Sequence, residues 1–328
     1  MRKGLGILSM QASLTLPKII EERRSEIVAL FSAEHGFFGS AAAGEKTGDT
    51  IHPYYDIPIR SLYGEHRRPT DSMMADISEM IIDLCDIGVR CYTYLATIKL
   101  MLEVCAEKGI PVTLIDHPIP LHGKVDGPCR EEKWSSFVAP IDVPLLHGMT
   151  PGEEAKFIVQ GLRSKAEGFD LKVKAVPHPV PLAKSLNFVP PSPALKSVDS
   201  VMLYPMLVWS EAYPAVDIDR FGAMAFRMIS APFIDVKWLV KDCEDLSKYG
   251  VGAMPYGSGV LFLICDFEVF KPVAAGVKLL EKLVKRYPKE MLEGVRREWM
   301  AKLYGTEKVQ AAVEEGSVDR EIERWRNS

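Results

Sequence analysis

Short apolar runs with polar or glycine punctuation dominate the first half of the chain. GLGILSM (Gly4–Met10), EIVALF (Glu26–Phe31), MIID (Met80–Asp83) and VTLID (Val112–Asp116) are each a few residues long, and stretches with helical spacing such as Tyr92–Lys108 lie between them. Strands alternating with helices predict an α/β fold built on a parallel sheet with crossover helices. The run VPHPVPLAKSLNFVPPSP (Val176–Pro193) can be neither regular helix nor central strand, because proline lacks the amide hydrogen and fixes its own φ. It reads as a long surface connection. Beyond it the pattern is more helical, with one clear strand, VLFLICD (Val260–Asp266). The helix Val273–Arg286 sets Val273, Val277, Leu280 and Val284 on one core-facing stripe, and Lys289–Asn327 reads as two or three short charged helices.

Composition narrows the class. With 328 residues, 47% hydrophobic and 26% charged, the chain has enough apolar surface for one large core or two smaller ones, which excludes disordered and fibrous proteins. A formal net charge of -4, without a basic stripe, argues against nucleic acid as a partner. The run Leu5–Met10 after the opening MRKG is too short for a secretory core, and no stretch is long enough to span a bilayer, so a cytoplasmic chain with no membrane partner is expected. The six cysteines lack CxxC spacing and read as reduced core residues, with only Cys129 in a setting that approaches a reactive thiol. No GxGxxG follows the first strand and no GxxxxGK[ST] occurs, so no nucleotide cofactor is expected.

Ligands of open parallel sheets bind beyond the carboxyl ends of the strands. Four segments leave those ends: Gln11-Ala12-Ser13, Ala33-Glu34-His35-Gly36, Asp83–Arg90 and Asp116-His117-Pro118. The most informative is LFSAEHGFFG (Leu30–Gly39), a buried strand running into a glycine-bracketed polar loop, which we read as one wall of an active-site-like cleft. An isolated Glu34-His35 pair would ordinarily be a capping carboxylate and a structural histidine. The long loop Ser40–Asp56 that follows, carrying Gly44-Glu45-Lys46, favours a functional reading. Asp83–Tyr94 groups two aspartates, Arg90, Tyr92 and Tyr94 around a glycine, a mixture suited to a sugar; the plain alternative is an Asp–Arg pair tying the loop to a helix start. A metal site from Asp116, His117, His122 and Asp126 lacks a recognisable ligand spacing, so no metal is expected; a metal-assisted hydrolase using His35, Asp86, Asp116 and His117 is a third reading. In LLHGMTPGE (Leu145–Glu153), Thr150, Pro151 and Glu153 form a capping-box signature, which leaves His147 unexplained.

Taken together these segments resemble the NamZ-type exo-beta-N-acetylmuramidase family, long catalogued as a bacterial domain of unknown function. The family's LFxPEHGFxG appears as LFSAEHGFFG, its AGEK as Ala43–Lys46, its SLYG as Ser61–Gly64 and its DxxDxGxRxYTY as Asp83–Tyr94. Its DRPNPL corresponds to Asp116–Leu121, its xEGP to Val125–Pro128 and its HGMTxGE to His147–Glu153. VPPSP (Val189–Pro193), LYP (Leu203–Pro205) and APFID (Ala231–Asp235) follow in order.

The resemblance implies a Rossmann-like domain over residues 1–145, a smaller α+β domain over 146–328, and a cleft between them in which a terminal N-acetylmuramic acid is released from peptidoglycan fragments. It implies Glu34 as the acid, Glu45, Asp86 or Asp116 as the second catalytic group, and no cofactor. His35, Lys46, Tyr63, Arg90, Tyr92, Tyr94, His147 and Glu211 would bind a small carbohydrate or muropeptide-like ligand. The chain also departs from the family. Where the family follows LYP with a segment like EGTNxSEGRGTTRPFE, this chain has Trp209–Arg220, with Glu211 retained; His117, Ile119 and Ala33 replace arginine, asparagine and proline. A remodelled substrate side is expected, with a diverged, non-catalytic carbohydrate-binding or regulatory protein as the alternative. A cytoplasmic chain would place the activity in cell-wall recycling.

Overall fold

The computed structural model describes residues 3–162, 166–176 and 188–327. Contacts group the chain into two compact units, each drawn from three stretches. The first runs to Gly88 and adds Tyr92–His122 and Met149–Pro193; the second takes Val89–Cys91, Gly123–Gly148 and everything from Ala194 on.

In chain order the first elements are β1 (Gly4–Ser9), α1 (Leu16–Arg23), β2 (Ile27–Ser32), β3 (Thr50–Ile51), β4 (Pro58–Ser61), α2 (Asp71–Met74), β5 (Ile77–Asp83), α3 (Tyr94–Lys108) and β6 (Val112–Asp116). After β7 (Asp126–Cys129) and β8 (Pro144–Leu146), which belong to the second unit, come α4 (Pro151–Leu162) and β9 (Leu171–Ala175) of the first. The remainder is α5 (Val198–Leu207), β10 (Met228–Ile229), α6 (Val236–Asp242), β11 (Val251–Tyr256), β12 (Gly259–Ile264), α7 (Pro272–Arg286), α8 (Pro288–Leu292), α9 (Arg297–Tyr304), α10 (Lys308–Glu315) and α11 (Val318–Arg326).

The first unit is a seven-stranded sheet in the order β3-β4-β2-β1-β5-β6-β9, parallel except for the edge pair β3–β4. Its central strands are apolar at successive positions because both faces are covered: Ile7, Leu8, Ala29, Leu30, Phe31, Met80 and Ile82 are all fully buried. The order reverses beside β1, which pairs with β2 on one side and β5 on the other, Ser9 lying opposite Asp83.

The second unit holds the antiparallel sheet β10-β12-β11 and the pair β7-β8. Its sequence shows one clear strand, but β11 pairs with β12 along its whole length. Gly252 and Pro255 within β11, and the exposure of its second half, weaken the usual strand signal. Val273, Val277, Leu280 and Val284 of α7 are buried as their spacing predicts. The charged C-terminal stretch forms four short helices rather than two or three. Of the proline-rich run Val176–Pro193, residues 177–187 lie outside the described residues, and 188–193 form neither helix nor strand. The cysteines are all free; Cys91, Cys105 and Cys243 are buried, Cys85 is partly exposed, and Cys129 and Cys265 are exposed rather than core residues.

Candidate active site

In a sheet whose strand order reverses, the crevice at the reversal is the usual ligand site. Here Asp83 fills it. Its Oδ2 accepts from the hydroxyls of Ser9 (3.1 Å) and Ser13 (2.7 Å), and its Oδ1 from Thr15 (2.8 Å) and from Nε2 of His117 (2.6 Å). Burial would lower the His117 pKa, but the Asp83 contact outweighs it and pushes the imidazole up to about 10. Burial would likewise raise Asp83, yet His117, Ser13 and Thr15 hold its carboxyl below the usual range. The pair is therefore an imidazolium and a carboxylate.

The loop after β2 lies one strand away. His35, Gly36 and Gly39 all have positive φ (71°, 70° and 67°), so the chain turns sharply at the strand end, with His35 paying the strain that a side chain meets there. The ring nitrogen Nδ1 of His35 lies 2.9 Å from the carbonyl of Ala41, whose amide donates back to the carbonyl of His35 at 3.1 Å. The carbonyl contact requires a hydrogen on Nδ1 and leaves Nε2 for another partner. Glu34 is 6% exposed. Its Oε1 accepts from the amide of Gly44 at 2.7 Å and its Oε2 from the hydroxyl of Thr93 at 2.5 Å.

Glu45 and Lys46, next to Gly44, are exposed. Glu45 accepts from the amide of Ala42 at 2.8 Å, closing its own turn. Thr47 ties this loop to the end of β4: its amide donates to the carbonyl of Tyr63 at 3.0 Å and its hydroxyl meets that of Ser61 at 2.8 Å. Tyr63 is buried, with the Arg67 guanidinium 4.9 Å from its ring centre. Glu34, His35, Glu45, Lys46 and Tyr63 thus belong to one bonded loop system.

The other two candidate carboxyls are engaged at helix starts. Asp86 accepts from the amides of Ile87 (2.6 Å) and Gly88 (2.9 Å), with the amide of Leu95 in the first turn of α3 also directed at it. Burial pushes its pKa up to about 6 against those donors. Asp116 accepts from the amide of Gly152 at 2.8 Å, in the first turn of α4. That helix carries the capping box read from sequence: Glu153 accepts from the amide of Thr150 (2.9 Å), whose hydroxyl accepts from the amide of Glu153 (3.3 Å). A Cβ at Gly152 would lie 2.6 Å from Cγ of Asp116 and 2.7 Å from Val173. Gly152→Ala is therefore expected to destabilise the chain by about 1–3 kcal/mol in urea unfolding, whereas a change below the error of the fit would show that the Asp116 contact yields freely.

The remaining candidates have structural partners. Tyr92 and Tyr94 are buried, and both hydroxyls donate to the carbonyl of Pro191, at 2.8 and 2.9 Å. Arg90, in the second unit, is fully buried and donates to the carbonyls of Pro128 (3.0 Å), Val143 (2.5 Å) and Leu303 (3.2 Å). These bonds, rather than an aspartate, hold its guanidinium. His147, also in the second unit, is kept neutral by burial and then by the charge of Arg90, which lower its pKa to about 3. Glu211 pairs with Arg220 at 3.5 Å, inside the segment Trp209–Arg220. Among the described residues no group of three or more His, Cys, Asp or Glu is arranged to hold a metal ion. Sequence reasoning missed the hub at Asp83, the Thr93 contact to Glu34, and Glu154, a fully buried glutamate beside Asp86.

Comparison with known proteins bears on the family and the fold. The family model for exo-beta-N-acetylmuramidase NamZ, N-terminal, matches residues 6–199, and its C-terminal counterpart matches 202–328. The chain is 29% identical over 326 residues to the peptidoglycan beta-N-acetylmuramidase NamZ of Bacillus subtilis (strain 168), covering 94% of this chain and 77% of that protein. Two crystal structures of DUF1343 family proteins from Bacteroides fragilis NCTC 9343 share the fold. One has a TM-score of 0.82 at 22% identity, covering 98% of this chain and 93% of its own; the other has 0.72 at 24%, covering 99% and 90%. With family models matched across both halves, the chain belongs to the NamZ exo-beta-N-acetylmuramidase family, in its N-terminal and C-terminal domains alike.

Proposed function

We propose that this chain is a glycosidase that releases a terminal N-acetylmuramic acid, or a related amino sugar, from peptidoglycan-derived fragments, with Glu34 as proton donor. Glycoside cleavage needs one protonated carboxyl for the leaving oxygen and a second group to attack or to activate water. The observation that carries the reading is the setting of Glu34, a buried carboxyl fixed at both oxygens. A backbone amide only donates, so a proton on Glu34 resides on Oε2, where the Thr93 hydroxyl can turn to accept it.

Glu45 supplies the second carboxylate. It is exposed and adjoins Gly44, whose amide holds Glu34, whereas Asp86 and Asp116 are engaged at helix starts. Nε2 of His35, the Lys46 ammonium and Tyr63 bind the sugar and its lactyl carboxylate. Tyr92 and Tyr94 support the surrounding backbone through the carbonyl of Pro191. The likeness to the Bacillus subtilis peptidoglycan beta-N-acetylmuramidase supports the same substrate class.

The test is incubation of the purified chain with natural and chromogenic muramic acid glycosides, following release of the free sugar. Single-sugar release is expected. Binding without release from any of them would favour a non-catalytic carbohydrate-binding protein, for which the occupied Glu211 in the altered segment Trp209–Arg220 is the supporting observation.

A further inference from the structure

Thr93 precedes α3, and a threonine in that place ordinarily turns its hydroxyl onto the amides of the first helical turn. It makes no such bond here, and its hydroxyl goes to Glu34 instead. The start of α3 faces Asp86, a carboxyl that suits the positive end of a helix. Asp86 is itself buried, and beside it, in the first turn of α4, lies Glu154 at 0% exposure. Two adjacent carboxyls shut away from water do not both ionise near neutral pH.

We propose that Glu154 is a positioning residue: it keeps its proton at neutral pH and donates it to Asp86, so that the pair carries one charge, closes the start of α3 and leaves the Thr93 hydroxyl to hold Glu34. The inference rests on the role given to Glu34 above. Nothing in the family motif assigns it, since HGMTxGE ends at Glu153. The titratable groups facing Glu154 are Asp86, Asp116 from β6 and Glu153 from its own helix, all acidic and all favouring the proton. Tyr92 and Tyr94 face Asp86 with neutral hydroxyls. Burial first, and these carboxyls next, push Glu154 well above the ordinary range.

The sign of the linkage follows. An unfolded chain releases the Glu154 proton at an ordinary carboxyl pKa while the folded chain holds it, so this group's effect on stability becomes more adverse as pH rises above that value.

The test compares the full-length chain with Glu154→Gln and Glu154→Leu, by melting temperature against pH and by kcat and KM against pH on a muramic acid glycoside. Glutamine keeps a donor for Asp86 and has no proton to lose. It is expected to retain wild-type kcat, with a melting temperature that gains on wild type as pH rises from about 5 to about 9. Leucine leaves Asp86 without its donor, so kcat is expected to fall about tenfold or more with KM little changed and the acid limb of the profile displaced. Glutamine and leucine variants that share the wild-type pH profiles of both melting and kcat would overturn the proposal. If no version of the chain turns over any muramic acid glycoside, the glycosidase reading fails, while the melting series still decides the pair: a flattened pH response in Glu154→Gln upholds it and an unchanged one sinks it.

Discussion

Glu34→Gln is expected to lower kcat on a muramic acid glycoside by about 10²–10⁴-fold, the usual loss when a general acid is removed. The substitution is close to silent for the fold. The amide oxygen still accepts from Gly44, and the new amide hydrogens can be received by the Thr93 hydroxyl, so the loop keeps both of its ties. KM and the melting temperature should stay near wild type, which separates lost chemistry from lost structure. Retention of most of the activity would remove Glu34 from the role of proton donor and direct attention to Glu45 or Asp86.

Asp83→Asn should produce the largest loss of stability in the first unit, about 3–5 kcal/mol, because it leaves the His117 cation buried without its counter-charge. Asparagine also replaces one of the two accepting oxygens by an amide, so the hydroxyls that now donate to that position must turn to accept from it. The pair carries its own pH signature. Asp83, held low in the folded chain, stabilises above its unfolded pKa near 4, and that support is lost as pH falls below it. His117, raised to about 10, stabilises fully below its unfolded pKa near 6.5, and its support fades as pH rises towards 10. Urea unfolding across pH should therefore show a maximum in the pair's contribution between roughly pH 4 and 6.5, absent from Asp83→Asn. A variant as stable as wild type throughout would show that the hub contributes nothing net. His117→Arg, whose charge does not titrate in this range, is expected to remove the alkaline decline while keeping the fold.

What the sequence made legible was what depends on near neighbours. The buried parallel strands announce themselves as unbroken apolar runs, and the capping box at Thr150–Glu153 is complete within four residues. Strand β11 escaped because its glycine and proline imitate a loop and its pairing partner supplies the order. The hub at Asp83 escaped for another reason: its partners Ser9, Ser13 and Thr15 come from 74, 70 and 68 residues away, and only the fold brings them together. Arg90 shows the limit most clearly. A charged residue after a glycine in a polar segment looks the same whether it meets a sugar, an aspartate or three carbonyls, and the structure chose the last. Asp116 and Asp86 carry the same lesson, since a helix start consumes a carboxylate as readily as a substrate does.

The threading of the chain through its two units bears on how such a protein changes over generations. Because residues 123–148 belong with the C-terminal stretch and 149–193 return to the first unit, no single crossover between two related genes exchanges one unit whole. A recombinant joined near residue 145 would inherit β1 to β6 from one parent, and β9 with the helix carrying Glu154 from the other, separating Asp86 from Glu154. Substitution in place, within a segment such as Trp209–Arg220, alters one unit without that penalty, and family diversity should accumulate that way more readily than through exchanged modules.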